Sequence, residues 1–205
     1  MMKHNMLIDP LPKIVSIGGT PYAINSDFRI TIAFEALMQD PEIEDAQKAR
    51  KALGLYYPII PDDLDAAVDQ IMWFYQGGKI YRQEQARRSG ALDPADRQMI
   101  YSYEYDDDYI YAAFLSQYHI DLQKVPYMHW WKFRALFHNL QPDMKISEIM
   151  GYRSMEIDGK MTTEQRNYYQ KMKDLYALPM PADEIEKADA IANALMNGGD
   201  LSGLL

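Results

Sequence analysis

Apolar residues recur along this chain at helical spacing, in stretches of roughly a dozen residues that proline or glycine cuts before they lengthen. Helices this short are marginal alone in water, so each must bury one face against its neighbours. One segment departs from that period. Ile14, Val15 and Ile17, then Tyr22 and Ile24, flank Gly18-Gly19-Thr20-Pro21, where the glycines can take the positive φ of a tight turn. The expected fold is therefore mainly α, a multi-helix bundle-like arrangement with a small N-terminal β-hairpin.

The flanks of each apolar stretch predict its limits. Asn25-Ser26-Asp27 offers side-chain acceptors for a helix from Phe28, with Phe28, Ile32, Ala36 and Leu37 on one face and Phe34 and Met38 broadening it. Asp40-Pro41 breaks that helix, and a second is expected from Pro41 to Leu53, stopped by Gly54. After the extended run Tyr56 to Pro61, Asp62 can cap a third helix. Its face is Leu64, Val68, Ile71, Met72 and Tyr75, and Gly77-Gly78 ends it. Residues 79–98 carry Lys79, Arg82, Arg87, Arg88 and Arg97, with Gly90 and Pro94 interrupting, and read as a basic linker or crossover.

Beyond Met99 the chain is dense in aromatic residues. Ile100, Tyr101, Tyr103 and Tyr105 approach a strand-like alternation, and Asp106-Asp107-Asp108 suits the positive end of a helix carrying Ile110, Phe114 and Tyr118. Pro126 is expected to open the next helix, with Trp130, Phe133, Phe137 and Leu140 along one stripe, and Pro142 to end it. A short segment from Ile146 to Met150 should close at Gly151, and Thr162 or Thr163 should start a long helix to about Leu175. After Pro179-Met180-Pro181, residues 183–196 form an amphipathic stretch with Ile185, Ala188, Ile191, Ala192 and Leu195 on one face. The organisation expected is a hairpin and helices over 1–78, the basic linker over 79–98, an aromatic helical region over 99–181, and a C-terminal helix and tail over 182–205.

Composition narrows the function. The formal net charge of −9 argues against a protein whose main work is gripping phosphates, since that affinity comes from basic side chains. Having no cysteine removes disulfides, thiolate metal sites and cysteine nucleophiles together. No apolar segment has the length of a signal peptide or a membrane span, so the expected location is the cytoplasm. The chain has 16 Tyr and 14 Met; tyrosine suits the edge of a core or an interface, and methionine suits surfaces that adapt to several shapes.

Chemistry-bearing clusters are few. Glu104, Asp106, Asp107 and Asp108 are the best candidate metal site, for an oxygen-loving ion, but they lack the spacing of a calcium loop and serve equally as helix caps. His129, Trp130, Trp131, Arg134 and His138 form the most conspicuous cluster. One reading is a recognition surface with Arg134 stacked on Trp130; the other is a packed core helix with polar ends. No zinc-protease histidine pair, nucleophile elbow or phosphate loop is present. Neither a catalytic residue nor a cofactor is expected. The candidate partner-binding residues are Trp130, Trp131 and Arg134, together with Ile185, Ile191 and Leu195 on the C-terminal helix, which needs a docking site on its own body, a second copy or a partner.

Four segments carry a resemblance: Ser26-Asp27-Phe28-Arg29; Tyr105-Asp106-Asp107-Asp108 leading into Ile110-Tyr111-Ala112-Ala113-Phe114; His129 through Phe137; and Ile149-Met150-Gly151-Tyr152-Arg153. In these the chain resembles the bacteriophage gene-product-fifteen family of tailed-phage proteins. The resemblance implies a siphophage tail assembly chaperone that binds the tape-measure or tail-tube protein in the host cytoplasm and is absent from the virion. A structural tail completion or connector protein is the alternative, and a metal-dependent enzyme using residues 104–108 a remote one. A homo-oligomer is compatible with either phage role.

Overall fold

The computed structural model describes residues 4–78 and 99–179. Among these the chain is mainly α, with seven helices and one two-stranded antiparallel sheet. Strands β1 (Ile14–Ile17) and β2 (Thr20–Ala23) are joined by Gly18 and Gly19, whose φ values of 57° and 83° make the two-residue turn that matches strand twist. Thr20 and Pro21, expected in the turn, are already in β2, where Pro21 faces Ser16 on a sheet that is all edge and tolerates its missing N–H. Only Val15 and Ile17 of β1 point into the core.

Helix α1 (Phe28–Gln39) starts where Asp27 accepts the Arg29 amide, and buries Phe28, Thr31 and Phe34. The expected face is rotated: Ala36 and Met38 are exposed, while Thr31 is inside because the buried Tyr56 hydroxyl donates to its Oγ1 at 3.0 Å. Helix α2 (Asp45–Tyr56) begins later than Pro41 and runs through Gly54, because Tyr56, beyond the predicted stop, reaches the core as Leu53 does. Helix α3 (Leu64–Tyr75) is capped by Asp63, whose carboxylate accepts the Ala66 amide, and buries Ala67, Ile71 and Phe74. Leu64, Val68 and Met72, expected inside, are outside.

Residues 101–105 form no strand; Tyr101 and Tyr103 are turned against other rings, and Tyr105 is exposed. Helix α4 (Asp107–Tyr118) follows and ends at His119, which takes the left-handed conformation with φ 55° while the Ile120 amide bonds back to Phe114. Helix α5 is shorter than expected, Trp130–Phe137, since the chain before it is extended and His129 is the cap. Helix α6 (Lys145–Ser154) passes through Gly151, because Arg153 is held from three directions. Helix α7 (Thr163–Leu175) carries a full capping box of Thr162 and Gln165 and buries no residue.

One apolar core gathers side chains from both sides of residues 79–98, from Val15 to Phe74 and from Ile110 to Ile146. Its centre is a run of stacked rings. Phe133 lies 4.7 Å from Phe28 and 4.9 Å from Phe114, each within 10° of parallel, and Tyr101 and Tyr103 close on Phe137. Among the described residues no helix is long and apolar enough to cross a membrane. The basic stretch 79–98 and residues 183–196 lie outside the described residues.

The glycines divide cleanly. A Cβ on Gly54 would meet nothing within 4 Å, whereas one on Gly78, at φ 70°, would stand 2.6 Å from Trp131. Gly54→Ala is expected to raise unfolding stability by about 0.5–1 kcal/mol through helix propensity. Gly78→Ala is expected to lower it by about 2–4 kcal/mol, from positive φ and displacement of the indole. Urea denaturation of both variants checks the pair.

Candidate functional site

Helix α5 carries the residues most suggestive of recognition, and the chain places them inside. Trp130 and Trp131 are each 2% exposed. Their indole N–H groups donate to the Tyr75 carbonyl at 2.9 Å and the Phe74 carbonyl at 2.7 Å, at the end of α3. The last carbonyls of a helix lack intrahelical partners, so the Trp130 contact satisfies a donor and an acceptor together, while Trp131 takes the second lone pair of a carbonyl that also accepts the Gly77 amide at 3.0 Å. Trp130 also stacks with Tyr75 and with Phe133, at centroid distances of 6.0 and 5.9 Å. This corrects the surface reading of Trp130 and Trp131: both are core residues. Arg134 is half-buried, its guanidinium lying against Gly77 and towards Tyr101 instead of stacked on an open Trp130. Ile185, Ile191 and Leu195 lie outside the described residues.

The segments that carried the resemblance meet in pairs. Asp27 accepts the Arg29 amide on Oδ1 and the Met128 amide on Oδ2, both at 3.1 Å. Phe28 N–H donates to the Met128 carbonyl and Trp130 N–H to the Ser26 carbonyl, so residues 26–28 and 128–130 run as a short antiparallel bridge. The Arg29 guanidinium grips Asp27 and the carbonyls of Leu122 and Val125, the latter two at 2.9 and 2.7 Å. This clasp sets the entries of α1 and α5 side by side. His129 finishes it: its Nδ1 accepts the Trp131 amide at 3.0 Å, and its Nε2 lies 2.9 Å from the Pro12 carbonyl. An imidazole serving both contacts is neutral, with its proton on Nε2.

The second pair is an ion pair. Arg153 donates to both carboxylate oxygens of Asp106, at 2.6 and 2.9 Å, with both side chains buried. Its remaining donors reach the carbonyls of Tyr176 and Ile100, and Asp106 also accepts the Ser102 amide at 2.8 Å. Asp106 therefore ties the chain before α4 to α6 and to the end of α7. The acidic cluster resolves accordingly. Asp106 makes no side-chain cap contact, Asp107 and Asp108 stand in the first turn of α4, and Glu104 is exposed. The metal reading is thus set aside at its only buried member, whose oxygens Arg153 and Ser102 occupy. Among the described residues no group of three or more His, Cys, Asp and Glu is placed to hold a metal.

One half-buried acid, Glu35, had no signal in the sequence. Glu35 accepts the Tyr75 hydroxyl at 2.9 Å, and burial holds its carboxyl above the ordinary 4.5, the tyrosine bond opposing the shift. Burial and the Glu35 charge push the Tyr56, Tyr75, Tyr101 and Tyr103 hydroxyls upward, so these rings remain neutral. A cleft of about 550 Å³ opens between α1, α4 and the loop after it. Phe28, Ile32, Ile110 and Phe133 line its apolar part, with Arg29, Asp107, Asp108 and Gln123 among its polar lining. Arg29 is committed to the clasp, and Asp108 bonds the Tyr109 amide.

Two outcomes are expected. Removing one member of the buried pair, as Arg153→Met or Asp106→Leu, leaves a charge alone in the core and should lower stability by about 3–5 kcal/mol in urea titration. Burial, with Lys13 and His4 nearby, holds the His129 ring below its usual 6.5, so the folded chain takes up the proton at lower pH than the unfolded chain does. That contribution is complete above pH 6.5 and is lost as pH falls below it. Thermal unfolding between about pH 7.5 and 5.5 should therefore show a smaller loss of Tm in His129→Asn than in the wild type.

A family model described as Bacteriophage Gp15 protein matches residues 7–178, most of the chain and nearly all of the described residues. No curated protein and no solved structure matches it.

Proposed function

From the fact that this chain belongs to the bacteriophage Gp15 protein family, which implies a structural or assembly role in a phage, we propose that it is a tail assembly chaperone. In this reading it binds the tape-measure protein, the tail-tube protein or both in the host cytoplasm, works by binding and not by turnover, and leaves before the virion is complete. The single observation carrying it is the division of the apolar inventory. The phenylalanines and Trp130 and Trp131 are committed to the core, while Ile59, Ile60, Leu64, Val68, Met72, Leu115 and Leu175, with Tyr105, Tyr127 and Tyr168, stand exposed along helices and connections. The exposed apolar row Leu64, Val68 and Met72 on one helix supports contact with another polypeptide. A tape measure is a long helical polymer that must stay soluble before the tube closes round it, and its amphipathic faces suit a carrier with exposed apolar helix faces. The acidic balance favours basic client segments and keeps the complex soluble.

Co-expression with the tape-measure and tail-tube proteins tests the reading. At least one should co-purify with the chain, deletion should abolish tails, and mass spectrometry of purified virions should lack the chain. Fixed stoichiometry in the virion would instead establish the tail completion or connector alternative. Normal tails after deletion would end both.

A further inference from the structure

We infer that the outer shoulder of α3 is a docking surface for a basic amphipathic helix of a partner protein. The inference rests on the reading that the chain works by binding another polypeptide, and it names the face and the chemistry. Leu64, Val68 and Met72 are 49%, 37% and 37% exposed. Spaced by four residues, they form one continuous apolar row about 12 Å long. The core-facing side of α3 is held by Ala67, Ile71 and Phe74, so this row is additional to the packing that stabilises the helix. Ile59 and Ile60, 76% and 47% exposed, immediately precede it.

Charge identifies the occupant. Asp65 and Asp69 are exposed, four residues apart, and stand three residues before Val68 and Met72, so an acidic row runs beside the apolar one. Exposed Asp62 extends the acidic side towards the helix start. Neither Asp65 nor Asp69 joins an ion pair among the described residues, and like charges at this spacing repel. A partner helix with apolar residues at i, i+4 and i+8 and Lys or Arg beside them would cover one row and neutralise the other. A second copy of this same face would bring acid against acid, which disfavours a two-fold dimer here.

The test uses the full chain and two labelled peptides of about 15 residues. Both carry Leu at i, i+4 and i+8; one has Lys at the flanking positions and the other Glu. Fluorescence anisotropy should show binding of the Lys peptide, weakened by salt, and at least tenfold weaker binding of the Glu peptide. Leu64→Ser/Val68→Ser should weaken the Lys peptide about tenfold. Asp65→Lys/Asp69→Lys changes exposed residues only and should invert the preference, whereas Glu42→Lys/Glu164→Lys should not. Equal binding of both peptides, or a preference unchanged by Asp65→Lys/Asp69→Lys, overturns the inference. So does a photo-crosslinker at position 68 that links chiefly to a second copy or to residues 79–98 or 180–205 of its own chain. A client that co-purifies equally with wild type and Asp65→Lys/Asp69→Lys removes this face and leaves the chaperone reading standing. Charge-selective peptide binding without any co-purifying tail protein does the reverse.

Discussion

Two indole N–H groups decide where the heaviest side chains can go. Buried without an acceptor, each donor would cost about 1–3 kcal/mol, so Trp130 and Trp131 can enter the core only where free carbonyls wait. The end of α3 supplies them: the Tyr75 carbonyl, and the second lone pair of the Phe74 carbonyl, which also accepts the Gly77 amide. From that contact follow the turn at Gly77-Gly78, whose positive φ lets Trp131 and Arg134 approach the backbone, and the fixed orientation of α5. With α5 fixed, Phe133 stands between Phe28 and Phe114 and the rings of three helices stack.

Around this centre two clasps hold segments far apart in the chain. Asp27 and Arg29 join the start of α1 to the residues before α5, and Asp106 with Arg153 joins the approach to α4 with α6 and the end of α7. A buried ion pair costs desolvation and adds little net stability over an apolar substitute, yet both partners must be present once one is. These clasps lie in the segments on which the resemblance was read. Their residues are interior joints, so on the proposed reading recognition falls to side chains that the core does not use.

The hairpin glycines, a capping acceptor within Asn25-Ser26-Asp27 and a helix start at Thr162 or Thr163 were legible because each is decided within a few residues. Gly54 and Gly151 misled because a single glycine ends a helix only when nothing beyond it needs burying; Tyr56 and Arg153 do. On α3 the apolar residues span so much of the circumference that two faces fit the same pattern. The smaller Ala67 allows the closer approach, so 67, 71 and 74 went inside and 64, 68 and 72 stayed out. Asp106 looked like a cap because its partner lies 47 residues away, and no local spacing announces such a pair. The tryptophans admitted a core and a surface reading, and only the position of the α3 carbonyls separates them.

The central claim is that the aromatic helix is scaffold, with its indoles sealed from solvent. Acrylamide quenching of tryptophan fluorescence tests it directly, in a Trp73→Phe background that leaves only Trp130 and Trp131 to report. Blue-shifted emission, scarcely quenched in the native chain and fully quenched after unfolding, is the predicted result. Red-shifted emission that acrylamide quenches freely in the native protein would contradict the account.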